Sequence, residues 1–514
     1  MPQPTNQTAR PEEGAGHDLR LASYGLNDQL VANYATLGIT ALHAWQAEAL
    51  ALDGVLEGGR ALVYVAPTSG GKSLVAEVLL LRRLLAGGAQ AKALFLVPYK
   101  ADVAQKGVRL RKLLRGTHMR VADYAGPLGA YPVPPRANLL VATLEKGAGV
   151  VQSLAEQGRL HEIVAVVADE IHLVGDTSRG ASLERLLAKM RLLAVAAASP
   201  RATQADASAE AAAASAGAAA QRRPLQLIGM SATLPNLDDL ARWLDAATYV
   251  SSERPTPLRQ LLVRRDGSLL EADGSAATAA PPPGTVVGDG GQLRVDVTGS
   301  GAVDPLALAA ALCAGAGGGV LVFCPTKSDC LSVARDLRER LCGGGDGGGG
   351  GGGGSLAGLG GEGRAMPDLD LEIHKCCPDG IRTPRLEALL RDGFAVHNTS
   401  LSEGERQLVE TAFGAGLVRV LCATSSLAAG VNLPVRRVLF WSLKKGVSSM
   451  TATDFRQMAG RAGRTGMCDA GDAFVLTGGG AQGGVQPSVD AAVQLLAEPI
   501  PPVTSRLLSR SAAG

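Results

Sequence analysis

Residues 66–73 read Ala-Pro-Thr-Ser-Gly-Gly-Lys-Ser, a composition suited to holding an anion. Glycines let the backbone curl tightly, so the N–H groups of Ser69, Gly70 and Gly71, following Thr68, can face one phosphate. A helix that begins at Lys72 adds partial positive charge at its first turn. The Lys72 ammonium would reach β- and γ-phosphates, and the Ser73 hydroxyl would ligate Mg2+. The first position of this pattern is usually glycine; here it is Ala66. A second cluster, Asp169-Glu170-Ile171-His172, closes an apolar run. Asp169 there suits Mg2+, and Glu170 suits polarisation of an attacking water. A third pair, Arg461 and Arg464, is spaced to share one helical face. Guanidinium groups neutralise the charge of a transferring phosphoryl group. The combined chemistry is hydrolysis of a nucleoside triphosphate in a cleft closed by two domains.

Elements must place these groups, and the hydrophobic pattern supplies them. The run Leu62-Val-Tyr-Val65 ends at the glycine loop, and a helix is predicted from Lys72 to Ala86, stopped by Gly87 and Gly88. Short buried runs then alternate with helical stretches: 93–97, a helix over 102–114, 139–141, 163–168 and 226–230. The rhythm restarts at 320–324, 419–422 and 437–441. Continuous apolar runs alternating with helices predict an α/β protein with two parallel sheets. Three stretches interrupt them: an Ala/Ser tract at 194–224, a Gly/Pro/Ala-rich stretch at 266–305, and a nearly pure glycine run at 343–363 that cannot offset its ordering entropy by burial.

The 514 residues are 46% hydrophobic and 19% charged, enough for a sizeable core, and the net charge of +2 excludes a histone-like polycation. Any contact with nucleic acid must come from local patches. Eight cysteines occur without a C-x-x-C pair, which fits a reducing compartment. His374, Cys376 and Cys377 lack the second ligand pair that a zinc site needs. No secretory signal or membrane-spanning run is apparent, so a soluble intracellular chain with a disordered start over residues 1–20 is expected.

The ordered motifs resemble the Ski-like group of superfamily 2 helicases, and within it the HELQ and DNA polymerase theta helicase-domain family. Residues 45–48 (Trp-Gln-Ala-Glu) resemble a Q motif and 66–73 motif I; 97–100 (Val-Pro-Tyr-Lys) resemble motif Ia and 142–147 motif Ib. Residues 169–172 match motif II and 231–233 (Ser-Ala-Thr) motif III. Residues 323–327 resemble motif IV, while 423–434 match motif V and 457–464 motif VI. Tyr124-Ala-Gly126 and Ser178-Arg-Gly180 also look more like HELQ than like other Ski-like helicases.

The resemblance implies two tandem RecA-like P-loop domains, the first over 21–265 and the second over 306–483, joined by 266–305. Residues 484–514 would begin a winged-helix region. It also implies that Gln46 reads adenine and that Gly430 belongs to the ATP site. Ser231 and Thr233 would couple the γ-phosphate to domain movement. Pro98, Thr143, Glu145, Lys146, Thr424 and Asn432 would hold a nucleic-acid backbone without reading bases. ATP and Mg2+ are the implied cofactors, and single-stranded or forked DNA the implied partner, with repair and replication proteins. The implied activity is ATP-driven 3′→5′ translocation and unwinding in DNA repair, in the nucleus. An RNA helicase and a non-catalytic ATP-binding scaffold are the alternatives. Two local departures stand out. Asn398 and Ser400 replace a usual His and Gly in 396–401, and 441–451 occupies the place of the strand-separating hairpin, with Lys444-Lys445-Gly446 as a candidate tip.

Overall fold

In the computed structural model, residues 17–68, 70–177, 179–198, 225–254, 256–275, 304–314, 316, 318–342, 367–428, 433, 435–463, 470–478 and 486–505 are described. The predicted glycine-rich insert and most of the other two interruptions lie outside them. The chain divides into two units, with the main boundary between Glu253 and Arg254.

The first unit is built on seven strands: β1 (Ala61–Val65), β2 (Lys92–Val97), β3 (Val121–Tyr124), β4 (Leu139–Thr143), β5 (Ile163–Asp169), β6 (Gln226–Ser231) and β7 (Ala246–Val250). Their order is β3-β4-β2-β5-β6-β1-β7, and all pairings are parallel. Strands β2 and β6 are buried throughout, and β5 up to its last residue. Both faces of the sheet must therefore be covered. On one face pack α1 (Asp28–Thr36), α2 (Ala44–Leu50), α3 (Lys72–Gly87) and α4 (Lys100–Leu113). On the other pack α5 (Leu144–Glu156), α6 (Gly180–Ala198) and a short helix, Leu237–Leu244.

The register of this sheet places the site. Val65 pairs with Ser231, and Met230 pairs with both Tyr64 and Asp169. Because β6 lies between β1 and β5, the glycine loop, Ser231 and Asp169 emerge side by side at the carboxyl ends, where open parallel sheets bind ligands.

The second unit carries β8 (Leu258–Val263), β9 (Leu269–Glu271), β10 (Gly319–Phe323), β11 (Phe394–His397), β12 (Val420–Ala423), β13 (Val435–Phe440) and β16 (Gly471–Leu476), in the order β11-β12-β10-β13-β16-β8-β9. Only the β8–β9 pairing is antiparallel. Two short strands, β14 (Lys444–Lys445) and β15 (Ser448–Ser449), form a separate hairpin. The sheet has its own core. Among the described residues no helix is long and apolar enough to cross a membrane.

The boundary differs from the one read in the sequence. Strand β8 precedes residue 265 yet pairs in parallel with β16, so it completes the second sheet. Pairing with a distant strand is invisible to local pattern. The expected C-terminal extension also divides. The helix Val489–Ala497 packs into the second core, whereas residues from Pro501 belong to the first unit. There Val503 exchanges two hydrogen bonds with the Asn236 side chain, each 2.8 Å.

Candidate active site

The loop after β1 satisfies its own polar groups. Lys72 Nζ donates to Ala66 O at 2.9 Å and Pro67 O at 3.1 Å, and Tyr64 Oη donates to Lys72 O at 2.6 Å. Gly71 has φ +84°, and a Cβ there would lie 2.6 Å from Gln46 Nε2. Only glycine suits both demands. Gln46 is buried. Its Oε1 accepts from His43 N at 2.8 Å, capping α2, and its Nε2 donates to Gly71 O at 3.0 Å. The candidate adenine reader thus touches the phosphate loop directly. Thr68 is half-buried and Gly70 buried; Ser69 lies outside the described residues.

Asp169 ends β5, and its Oδ1 accepts from Glu170 N at 3.0 Å. Burial pushes its carboxyl up to about 6, a rise that the Glu170 charge reinforces and Lys106 and Lys72 oppose. Lys106 was not singled out in the sequence. It projects from α4, donates to Ser73 Oγ at 2.8 Å, and lies 4.8 Å over the Phe95 ring. The signal available was a lysine one turn after Val103, on the buried stripe of Val103, Gly107 and Leu110.

Glu170 adopts φ 51°, ψ 49°, the left-handed region that a residue with a side chain rarely holds. Its Oε2 is buried without a hydrogen-bond partner and lies 3.3 Å from His172 Nδ1. His172 Nδ1 also lies 2.9 Å from Ser231 Oγ. Ser231 has one hydroxyl proton, and it goes to Thr233 O at 2.8 Å. The serine therefore accepts from His172, which carries its proton on Nδ1. A continuous line of contacts runs from Glu170 through His172 to Ser231 and Thr233.

The candidate nucleic-acid residues divide. Pro98 is buried at the end of β2, and its carbonyl accepts from Arg179 at 2.8 Å. Thr143 is buried, and its hydroxyl caps α5 by accepting from Lys146 N, so its side chain is committed to the helix start. Glu145 is exposed and Lys146 half-buried, with Lys146 Nζ 5.8 Å over the Tyr131 ring.

In the second unit Thr424 follows β12, its N–H bonded to His397 O at 3.2 Å. Asn398, one of the departures, accepts from the Ser400 N–H and hydroxyl and closes a local turn. His397 instead faces Glu410 at 3.0 Å. The hairpin expected over 441–451 is present, with Gly446 at φ +65° and Val447 fully exposed at its tip. Arg461 follows the helix Ala452–Ala459 and is half-buried. Gly430, Asn432 and Arg464 lie outside the described residues.

A glycine loop, an acidic pair and a hydroxyl at the carboxyl ends of one parallel sheet, in a chain that carries a second sheet unit of similar make, define a P-loop α/β protein of the helicase type. Residues 45–240 match the DEAD/DEAH box helicase family, and residues 365–466 match the helicase conserved C-terminal domain. "Helicase POLQ-like" of Drosophila melanogaster is 33% identical over 88% of this chain and 39% of its own length. "DNA polymerase theta" of Mus musculus is 32% identical over 89% of the chain and 17% of its own length. "ATP-dependent DNA helicase Hel308" of Pyrobaculum calidifontis is 30% identical over 89% of the chain and 55% of its own length. The chain carries both helicase domains, and its POLQ-like and Hel308 relatives are Ski2-like superfamily 2 helicases. It spans between 17% and 55% of the length of these three relatives.

Proposed function

We propose that this chain is the motor of an ATP-dependent DNA helicase, moving 3′ to 5′ along single-stranded DNA and opening duplexes during repair, with nuclear residence. The observation that carries this reading is the unbroken line from the acidic pair to the serine of motif III. A nucleotide site without mechanical output has no need of a half-buried histidine joining Glu170 to the end of β6.

The residues present fit a magnesium nucleotide. The Ser73 hydroxyl and Asp169 carboxylate are hard oxygen donors. The Glu170 Oε2 is buried without a hydrogen-bond partner, and Gly71 keeps the loop free of a Cβ. Mg2+ at Ser73 and Asp169 would supply neutralisation of the phosphate charge. Lys72 would exchange the carbonyls of Ala66 and Pro67 for phosphate oxygens. Glu170 would accept a hydrogen bond from the attacking water, and the resulting shift would reach Ser231 through His172. Arg461 and Arg464 are assigned the neutralisation of transferring charge. The Lys444–Ser449 hairpin is assigned the splitting of the duplex, its exposed Val447 serving as the apolar edge.

The test is ATP turnover by the purified chain with single-stranded DNA, single-stranded RNA or neither. Stimulation by DNA is expected, and Lys72→Ala should reduce the stimulated rate at least about a hundred-fold. Stimulation by RNA alone would replace this reading with an RNA helicase. No stimulation by either polymer would leave only an ATP-binding scaffold.

A further inference from the structure

Arg179 stands in the turn that leaves the acidic motif, and two separate segments meet on its side chain. Its backbone is fixed first. Arg179 N donates to Asp176 Oδ1 at 2.8 Å, and Arg179 O accepts from Leu183 N at 3.2 Å as α6 begins. Its guanidinium then reaches across the sheet end. Nη1 donates to Pro98 O at 2.8 Å, Cζ sits 4.8 Å from the centre of the Tyr99 ring, and Nε lies 3.7 Å from Glu145 Oε1. Pro98 and Tyr99 join β2 to α4, and Glu145 stands in the first turn of α5.

Each contact uses a different property of arginine. The guanidinium lies over the tyrosine ring, its edge donates to the Pro98 carbonyl, and its charge faces a carboxylate. A lysine keeps the charge and a donor but lacks the planar fork that meets the ring and the carbonyl together. The stack and the carbonyl bond together fix the plane of the guanidinium, and hence the separation between the end of β2 and the start of α5.

We infer that Arg179 is a positioning residue for the nucleic-acid grip. It fixes the loop of Pro98 and Tyr99 against the start of α5, where Glu145 and Lys146 lie, and ties both to the turn that follows Glu170. This inference rests on the reading of the chain as a nucleic-acid motor. Arg179 touches neither nucleotide nor strand in this scheme. It sets how far apart two backbone-holding segments stand, and it joins them to the segment that carries the hydrolytic carboxylate.

The experiment measures binding of fluorescent oligo-dT by anisotropy and, separately, binding of a fluorescent ATP analogue without DNA. Loss of a charge-assisted hydrogen bond and a stacking face should weaken oligo-dT binding by Arg179→Ala about ten-fold. The ATP analogue should bind the variant within about two-fold of the wild type. Arg179→Lys, which keeps the charge and the fold, should still lose about three-fold toward oligo-dT. In a Tyr99→Leu background, Arg179→Ala should cost less than it does in the wild type, because the guanidinium has already lost its stacking face. Equal oligo-dT affinity in wild type and Arg179→Ala would overturn the inference. So would a parallel loss of both affinities, which marks a structural role alone. A wild-type chain that binds neither oligo-dT nor oligo-U would remove the functional reading, and this inference with it.

Discussion

Asp169 shows how a single residue is held in conflict with its surroundings. Its desolvated carboxyl sits at the carboxyl end of β5 beside Glu170, and the folded chain keeps its proton up to about pH 6, against 3.8 for an ordinary aspartate. The unfolded chain releases that proton earlier. Ionisation therefore disfavours the fold, with a cost that starts to grow above 3.8 and is complete above about 6. Asp169→Asn removes the charge and keeps an oxygen to accept from Glu170 N. At neutral pH this variant should resist urea better than the wild type by about 1–3 kcal/mol while losing ATP turnover. The gain should vanish when unfolding is measured below the ordinary aspartate value. A gain that persists in acid would show that the carboxylate is not the source of the strain.

At the scale of an element, β8 shows how a strand is recruited across the chain. It lies next to β16 because its apolar residues need a partner edge, and ion pairs then lock the assembly. Asp472 on β16 is buried, with Arg259 of β8 at 3.2 Å and the buried Arg437 of β13 at 3.6 Å. Desolvation pulls Arg437 below the ordinary arginine value. Taking the carboxylate away leaves that guanidinium charge in the core without its anion. Asp472→Ala should therefore cost about 3 kcal/mol in urea unfolding of the second unit. A loss below about 1 kcal/mol would mean that water or neighbouring carbonyls already solvate Arg437.

The hairpin is the other element open to test. Replacing Lys444–Ser449 by a short glycine linker should lower duplex unwinding far more than DNA-stimulated ATP turnover. Equal losses in the two assays would show that the hairpin supports the fold rather than the duplex. Lys445 pairs with Asp454 at 3.0 Å, so the readout should include a melting temperature.

For the whole molecule the governing fact is two sheets with separate cores. Cooperative unfolding follows the core, so two transitions are expected rather than one. Asp169→Asn should move one of them upward and Asp472→Ala should move the other downward. Each variant shifting a single common transition would show that the units unfold as one. ATP should stabilise the transition that responds to Asp169.

What the residues alone determined was the chemistry and the order of the motifs. Lys72, Ser73, Asp169 and Glu170 were legible because a phosphate loop and an acidic pair have to follow apolar strands at fixed offsets, and β1, β2, β5 and β10 read as unbroken hydrophobic runs. Strands β3, β7, β11 and β16 escaped, being short or broken by polar residues and glycine, and β8 was assigned to the wrong side of a domain boundary. The tertiary structure alone decided three further things: that Lys106 stands over Ser73, that His172 joins Glu170 to Ser231, and that Arg179 gathers Pro98, Tyr99 and Glu145. The physical reason is common to all three. Each depends on a contact between residues far apart along the chain, brought together by a strand order that places β6 between β1 and β5 and β2 beside β4, and no local periodicity encodes which strand will be whose neighbour.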